Sequence, residues 1–236
     1  TRFQNLNWIN GGSIYVGTAD WVSPKGARSH HVEILNNTFS GTQVRYGFIE
    51  FMGDDSLING NTIAISSGGQ TTDHGIYLHN GNRNIVRGNT ISGASGYNIH
   101  VYDERKGSGD PQTFYDGVII ENNVLFNSRQ RSGLIVSQGG DTQVRSLTIR
   151  NNIMYNNAEA GLDLTNYGSL NMQNINVYHN TFYGSGDGIT IGYNKLTSSE
   201  ILNNIFASSG TDIDSQGGIA VSNNLYRSSM NNIGVT

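Results

Sequence analysis

A short polar-apolar phrase recurs from one end of the chain to the other, and it constrains the fold more than any other feature. Its copies are Asn36-Asn37-Thr38-Phe39, Gly60-Asn61-Thr62-Ile63, Gly88-Asn89-Thr90-Ile91, Asn122-Asn123-Val124-Leu125, Asn151-Asn152-Ile153, His179-Asn180-Thr181-Phe182, Asn203-Asn204-Ile205 and Asn223-Asn224-Leu225. The second Asn falls at positions 37, 61, 89, 123, 152, 180, 204 and 224, giving steps of 24, 28, 34, 29, 28, 24 and 20 residues. A period of this length that stretches and shrinks locally marks a solenoid whose coils share a core and carry loops of unequal length.

Each pair follows a short alternating strand, as in Val32-Glu33-Ile34-Leu35, Val118-Ile119-Ile120-Glu121 or Leu147-Thr148-Ile149-Arg150. A second alternating strand, usually opened by Gly, comes after it: Gly75-Ile76-Tyr77-Leu78, Gly133-Leu134-Ile135-Val136, Gly161-Leu162-Asp163-Leu164 and Gly188-Ile189-Thr190-Ile191. Period-two strands with one apolar face stack into parallel sheets when every coil repeats the last. Asn suits the bend because it tolerates left-handed backbone and because its amide can bond to the identical amide one coil away. No window carries a capped 3.6-residue period, so the expected fold is all-β, a parallel β-helix.

The Gly-Ile-x-Leu strands and Asn-Asn-x-Ile turns resemble the right-handed parallel β-helix superfamily over nearly the whole chain. The resemblance implies a single-stranded right-handed solenoid of about eight coils with three parallel sheets, forming one domain over residues 1–236. That superfamily includes pectate lyases, polygalacturonases, mannuronan C5-epimerases, tailspikes and non-catalytic surface proteins, so it implies polysaccharide binding without choosing a reaction. Polygalacturonase motifs are reduced to His74-Gly75, and the calcium-binding acidic cluster and Arg-x-Pro-x-x-Arg of pectate lyases are missing. Asp110-Pro111-Gln112 is a faint echo of the epimerase Asp-Pro-His.

Composition supports this reading. Thirty-one Gly and only two Pro suit tight turns between strands that still donate hydrogen bonds. A net charge of −4 with no basic block gives no footprint for nucleic acid. The absence of cysteine leaves no disulfide framework and no thiolate metal site. No signal peptide or membrane-spanning stretch is present, and Thr1-Arg2-Phe3 already reads as strand, so a mature or trimmed chain is expected. The expected setting is secreted, at the cell surface or in the periplasm, with no membrane insertion. The longest insertion and densest charge cluster runs from Asp103 to Asp116; a second polar, Gly-rich loop covers 66–73. Insertions of this kind wall one flank of a solenoid.

The resemblance places the Gly-opened strands in the sheet that lines the substrate groove. Aligning their inward pairs (Ile14/Val16, Ile49/Phe51, Ile76/Leu78, Ile99/Val101, Leu134/Val136, Leu162/Leu164, Ile189/Ile191) fixes the outward columns. One reads Tyr15, Glu50, Tyr77, His100, Ile135, Asp163, Thr190. The next reads Gly17, Met52, His79, Tyr102, Ser137, Thr165, Gly192. A third column is mostly small, with Gly75, Asn98, Gly133, Gly161 and Gly188, and is expected to leave the groove floor open.

Tyr77, His79, His100 and Tyr102 form a square with sides of about 5 and 7 Å, roughly the footprint of a sugar ring. Outward Tyr and His can move protons near neutral pH when their neighbours tune them. The expected chemistry is proton abstraction next to the carboxylate of a uronic-acid polysaccharide, by β-elimination or C5 epimerisation. His100 or Tyr77 is expected as base and Tyr102 or His79 as donor, with Arg105, Lys106 or Arg131 neutralising the carboxylate. Tyr15, Glu50, Asn98 and Asp163 complete the expected substrate surface. The alternatives are a ladder that only stabilises the sheet or stacks sugars, and a hydrolase. A retaining or inverting hydrolase needs two carboxyls about 5–10 Å apart. The column acids Glu50 and Asp163 have three coils between them, although Asp103 or Glu104 could approach either one. His74 reads as a turn residue. No cofactor is certain and calcium is possible: Asp54-Asp55 and Asp212/Asp214 could touch it, although they read better as solvated turn carboxylates.

Overall fold

The computed structural model describes residues 1–17, 29–103, 114–140, 142–192, 196–215 and 219–227. The described residues contain strands, turns and bends but no helix. Three sheets, parallel throughout, run the length of the solenoid. The first ascends from Arg2–Gln4 through Glu33–Leu35, Leu57–Asn59, Ile85–Arg87 and Ile119–Glu121 to Ala220–Ser222. The second runs from Asn7–Ile9 through Thr38–Thr42 and Thr62–Ser67 to Leu225–Tyr226. The third stacks Ile14–Val16, Gly47–Phe51, His74–His79, Ile99–Asp103, Leu134–Gln138, Ala160–Asn166, Asp187–Gly192 and Ile213–Ser215.

The Asn turn joins the first sheet to the second, and its two residues divide the work. The leading residue takes left-handed backbone, with φ of 53° at Asn36, 56° at Asn122 and 55° at Asn151, and 68° and 62° at Gly60 and Gly88. The second residue is buried and forms the amide column. Asn61 shows the pattern: its Nδ2 donates to Asn89 Oδ1 at 2.9 Å and to the Ile34 carbonyl at 2.9 Å. Its Oδ1 accepts both the backbone N–H and the side-chain N–H of Asn37, at 2.9 and 3.0 Å. The same bonds link Asn89 to Asn123, Asn123 to Asn152, Asn152 to Asn180, Asn180 to Asn204 and Asn204 to Asn224. Two donor hydrogens and two acceptor sites are thus satisfied in each interior amide, which lets a polar side chain sit in the core without the cost of an orphan.

Inside the column, one apolar residue per strand stacks on its copy one coil away. Phe39, Ile63, Ile91, Leu125, Met154, Phe182 and Phe206 line the second sheet, and Ile34, Ile58, Val86, Ile120 and Ile149 the first. All are essentially fully buried. On the outer face of the second sheet, Phe126, Tyr155 and Tyr183 stack with ring centroids 4.8 and 4.9 Å apart, the spacing of the coils themselves.

The register of the third sheet follows the alternation read from the sequence. Tyr15 pairs with Glu50, Glu50 with Tyr77, Tyr77 with His100, His100 with Ile135, Ile135 with Asp163 and Asp163 with Thr190. The column His79, Tyr102, Ser137, Thr165, Gly192 is likewise in register. The small column differs from its expected role. Gly75, Gly133, Gly161 and Gly188 are buried where the chain turns the corner from the second sheet. A Cβ on Gly75 would lie 2.6 Å from both the Asn98 carbonyl oxygen and Ile91 Cγ2, and one on Gly161 would lie 2.6 Å from Phe182 Cδ1. These glycines let the corner close on the core; they do not open a groove.

Candidate functional site: an aromatic cavity on the third sheet

A cavity of about 470 Å³ lies over the N-terminal half of the third sheet. Its floor is the outward column Tyr15, Glu50, Tyr77 and His100, with Tyr102 beside them. Its wall is made by Tyr46, Thr72 and His74, which come from the turns entering two successive strands and from the start of the second of those strands. Tyr46 holds left-handed backbone, with φ of 64°, a conformation costly for a bulky side chain. Bonds on both sides keep it there: its N–H donates to Asp73 Oδ1 at 3.0 Å, and its carbonyl accepts the His74 N–H at 2.9 Å.

His74, expected to be a turn residue, instead opens the strand His74–His79, is buried, and organises the site. Its Nδ1 accepts the Tyr97 backbone N–H at 3.2 Å. A backbone amide can only donate, so in neutral His74 the proton sits on Nε2. That Nε2 lies 2.9 Å from His100 Nδ1, and His100 Nε2 lies 3.4 Å from Ser137 Oγ. The bond directions follow in sequence: Tyr97 N–H to His74, His74 Nε2–H to His100 Nδ1, and His100 Nε2–H towards the Ser137 hydroxyl. Burial holds the His74 pKa down to about 3, against which nearby Asp73 acts only weakly. Burial, with His74 and His79 as neighbours, lowers His100 well below the usual histidine range. Both rings are neutral near neutral pH. The His100 lone pair is already occupied, so the expectation that His100 is the base gives way: in this arrangement it is a hydrogen-bond donor.

The rings pack around His100. Tyr77 stacks on it at 4.9 Å and 15°, Tyr102 at 5.4 Å, and Tyr97 and His74 approach at 5.3 and 4.5 Å. The expected open square is therefore three-quarters present. The fourth member, His79, is 1% exposed, with Nδ1 3.3 Å from Met52 Sδ, and does not line the cavity. The outward strand direction aims His79 away from the core, but the neighbouring Met52 is itself buried and encloses it.

Glu50 is the carboxyl of the cavity, and burial raises its pKa. The Tyr15 phenol is raised too, first by burial and then by Glu50. Asp163 lies four register steps from Glu50, or about 19 Å at the coil spacing. Between them Ile135 is only 2% exposed, so the column does not remain an open surface. Tyr97 spans this stretch: its ring packs on His100, and its phenol is pushed up by burial and by Asp163. Asp163 is raised to about 6 by burial, opposed by the hydrogen bond from Thr165 Oγ1.

The remaining expected site residues lie elsewhere. Asn98 is fully buried, donating to the Phe126 carbonyl and to Asn157 Oδ1, so it serves the core and not a substrate. Arg131 is paired with Glu159 at 2.9 Å, near Tyr97 and away from the cavity. Arg105, Lys106, Glu104 and the Asp110-Pro111-Gln112 stretch lie outside the described residues. Asp55 forms a two-pronged pair with Arg83 at 2.6 and 2.7 Å, and Asp54 accepts the Asn82 N–H. Asp212 is buried while Asp214 faces outward, so that pair does not converge. Among the described residues, no group of three or more His, Asp or Glu is arranged to hold a metal ion. Sequence alternation misses Tyr46, Thr72, His74 and Tyr97 because all four precede the alternating strand. Carrying the Ile76–Ile99 alignment two residues upstream would have set His74 beside Tyr97.

Residues 5–182 match a family model described as Right handed beta helix region. No curated protein sequence matches the chain. Similar solved structures include the Dettilon tailspike protein (gp208), with a TM-score of 0.44 and 13% identity over 93% of this chain and 51% of that one. Pectate lyase Pel9A gives 0.41 and 13% over 94% and 68%, respectively. The mannuronan C-5 epimerase AlgE6 A-module of Azotobacter vinelandii gives 0.31 and 10% over 97% and 90%. The chain spans about half the length of the tailspike chain.

Proposed function

The chain belongs to the right-handed β-helix family, and from that premise we propose that it acts on an acidic, uronic-acid polysaccharide outside the cell, in the cavity on its third sheet. The observation that carries this reading is the composition of the cavity: Tyr15, Tyr46, Tyr77 and Tyr102 around Glu50, the one carboxyl among its described lining residues, with a neutral His100 locked as a donor. Aromatic rings offer faces and edges to the C–H surface of a sugar. A carboxyl raised towards neutrality is matched to general acid-base work.

The reaction is removal of the proton from the carbon bearing the substrate carboxylate. Ionised Glu50 accepts the C5 proton, and the electron pair left on C5 delocalises into the carboxylate. In elimination, that pair forms the C4–C5 double bond as the C4–O bond breaks, and the departing oxygen takes a proton from the Tyr77 phenol. In epimerisation the phenol returns a proton to C5 from the other face. The Tyr102 hydroxyl, beside Tyr77 on the cavity lining, would hold the developing charge. Hydrolysis is less well supported, because Glu50 and Asp163 are separated by about 19 Å where paired carboxyls need about 5–10 Å.

The test is the ultraviolet absorbance of the unsaturated product during incubation with alginate, pectate and glucuronan-type polymers, with NMR of the same samples for C5 inversion. Turnover of one polymer by wild type should fall about 100-fold or more in Glu50→Gln and in Tyr77→Phe. Turnover undiminished in both variants would overturn the assignment. Saturable binding with no chemistry on any polymer would leave a non-catalytic carbohydrate-binding solenoid.

A further inference from the structure

A second cavity, about 570 Å³, adjoins the first and shares Thr72 with it. Consecutive residues divide between the two: Arg45 lines the second cavity and Tyr46 the first, and Asp73 and His74 are split in the same way. The second cavity is polar. Its walls are already committed to bonds within the fold. The Gln43 amide donates to the carbonyls of Val44 and His74 and accepts the Ser95 N–H, tying three coils together. The Asp73 carboxylate accepts the backbone N–H groups of Tyr46 and Gln70 at 3.0 and 2.7 Å. Gly69, at φ of 88°, passes so close that a Cβ would lie 2.4 Å from Gln43 Cγ.

Arg45 is different. It is exposed, and among the described residues no carboxylate lies within ion-pair distance of it. Its guanidinium lies 4.8 Å from the Tyr46 ring centroid and donates one N–H to the Tyr46 hydroxyl at 2.9 Å. Tyr46 is in turn fixed by its own backbone bonds to Asp73 and His74. The side chain is thus oriented before any ligand arrives, with most of its five donors unspent. Among the described residues it is the one cation lining either cavity.

We propose that this cavity is a carboxylate subsite, in which Arg45 binds the uronate group of a sugar unit adjacent to the one held among the tyrosines. This rests on the reading of the first cavity as an acidic-polysaccharide site. The planar fork of Arg matches a carboxylate with two parallel N–H donors, and Thr72 and Gln70 supply hydroxyl and amide partners for neighbouring sugar hydroxyls. The subsite selects acidic polymer over neutral polymer, a selection for which the described lining of the first cavity offers no cation.

Calorimetric titration of oligouronates cut from alginate, pectate and glucuronan, each paired with its carboxyl-reduced counterpart, tests the assignment. Wild type should bind the acidic member of one pair about tenfold more tightly, the scale of one partly exposed charge-assisted contact. Arg45→Gln should erase that preference while leaving affinity for the reduced oligomer unchanged, and Arg45→Lys should restore part of it. A preference that survives intact in Arg45→Gln overturns the subsite and leaves the acidic-polysaccharide reading standing. Wild type with no preference for, or no affinity for, any acidic oligomer overturns both. Arg45 is exposed, so unchanged thermal melting of the variant should show that the fold is kept.

Discussion

At the scale of single residues, the centre of the site is governed by one backbone amide. Because Tyr97 N–H donates to His74 Nδ1, the proton of each ring in the pair is assigned, and a catalytic-looking histidine becomes a neutral donor. Nitrogen-15 NMR should show His74 and His100 as Nε2–H tautomers near neutral pH, with neither ring titrating as pH falls through ~6.5, the ordinary histidine value. The folded pKa values lie below that value, so the unfolded chain binds more protons in the window beneath it. The stability these groups contribute is therefore complete above ~6.5 and is lost as pH falls towards their folded values. Asp163 has the opposite sign. Its folded pKa of about 6 stands above the ordinary 3.8, so its contribution is present at low pH and is lost as pH rises through 6. Asp163→Asn should raise stability by ~1–2 kcal/mol above pH ~7, less than the ~3 kcal/mol of a two-unit shift because the Thr165 bond is weakened. Below pH ~3.8 the variant should gain nothing, and urea midpoints across the pH range would decide it.

At the scale of elements, the columns of the third sheet were legible because strand alternation fixes which side chains share a face, and the register then repeats it coil after coil. Tyr77 beside His100 and His79 beside Tyr102 follow from that rule alone. The rule fails where a strand meets a corner. Gly75 and Asn98 share the parity of outward residues but are turned into the core, and His74 and Tyr97 lie just upstream of the alternating stretch. Burial of His79 was invisible for another reason: alternation gives direction, whereas exposure depends on what a neighbour such as Met52 covers. The division of labour in the Asn turn makes its own prediction. Asn123→Ala would orphan the backbone and side-chain N–H groups of Asn89 and strip one partner from the Val86 carbonyl. The cost should be ~3–5 kcal/mol, read as a lowered urea midpoint. Asn224→Ala, at the partly exposed end of the column, should cost ~1 kcal/mol or less.

At the scale of the whole molecule, each coil packs chiefly against the coils above and below it, with a few side-chain bonds such as Gln43 to Ser95 and Asn98 to Asn157 reaching one coil further, so stability is close to a sum over neighbouring interfaces. Amide hydrogen exchange should be slower at Ile91, Ile120 and Leu125, in strands paired on both sides, than at Phe3 and Leu225, in strands paired on one side among the described residues. Uniform protection from end to end would contradict this. The aromatic cavity and the Arg45 cavity occupy the N-terminal half of the described coils, where Glu50, Tyr77 and His100 on the floor of the site lie on strands paired on both sides. The amide column has a further consequence. Every interior Asn presents the same donor pair to one side and the same acceptor to the other, whatever the length of the loop that follows it. Along this seam, any two cut faces therefore present matching groups. A gene segment encoding one coil could be duplicated or excised in frame and the amide seam would still join, so a protein of this kind can lengthen its binding surface by copying a coil it already has.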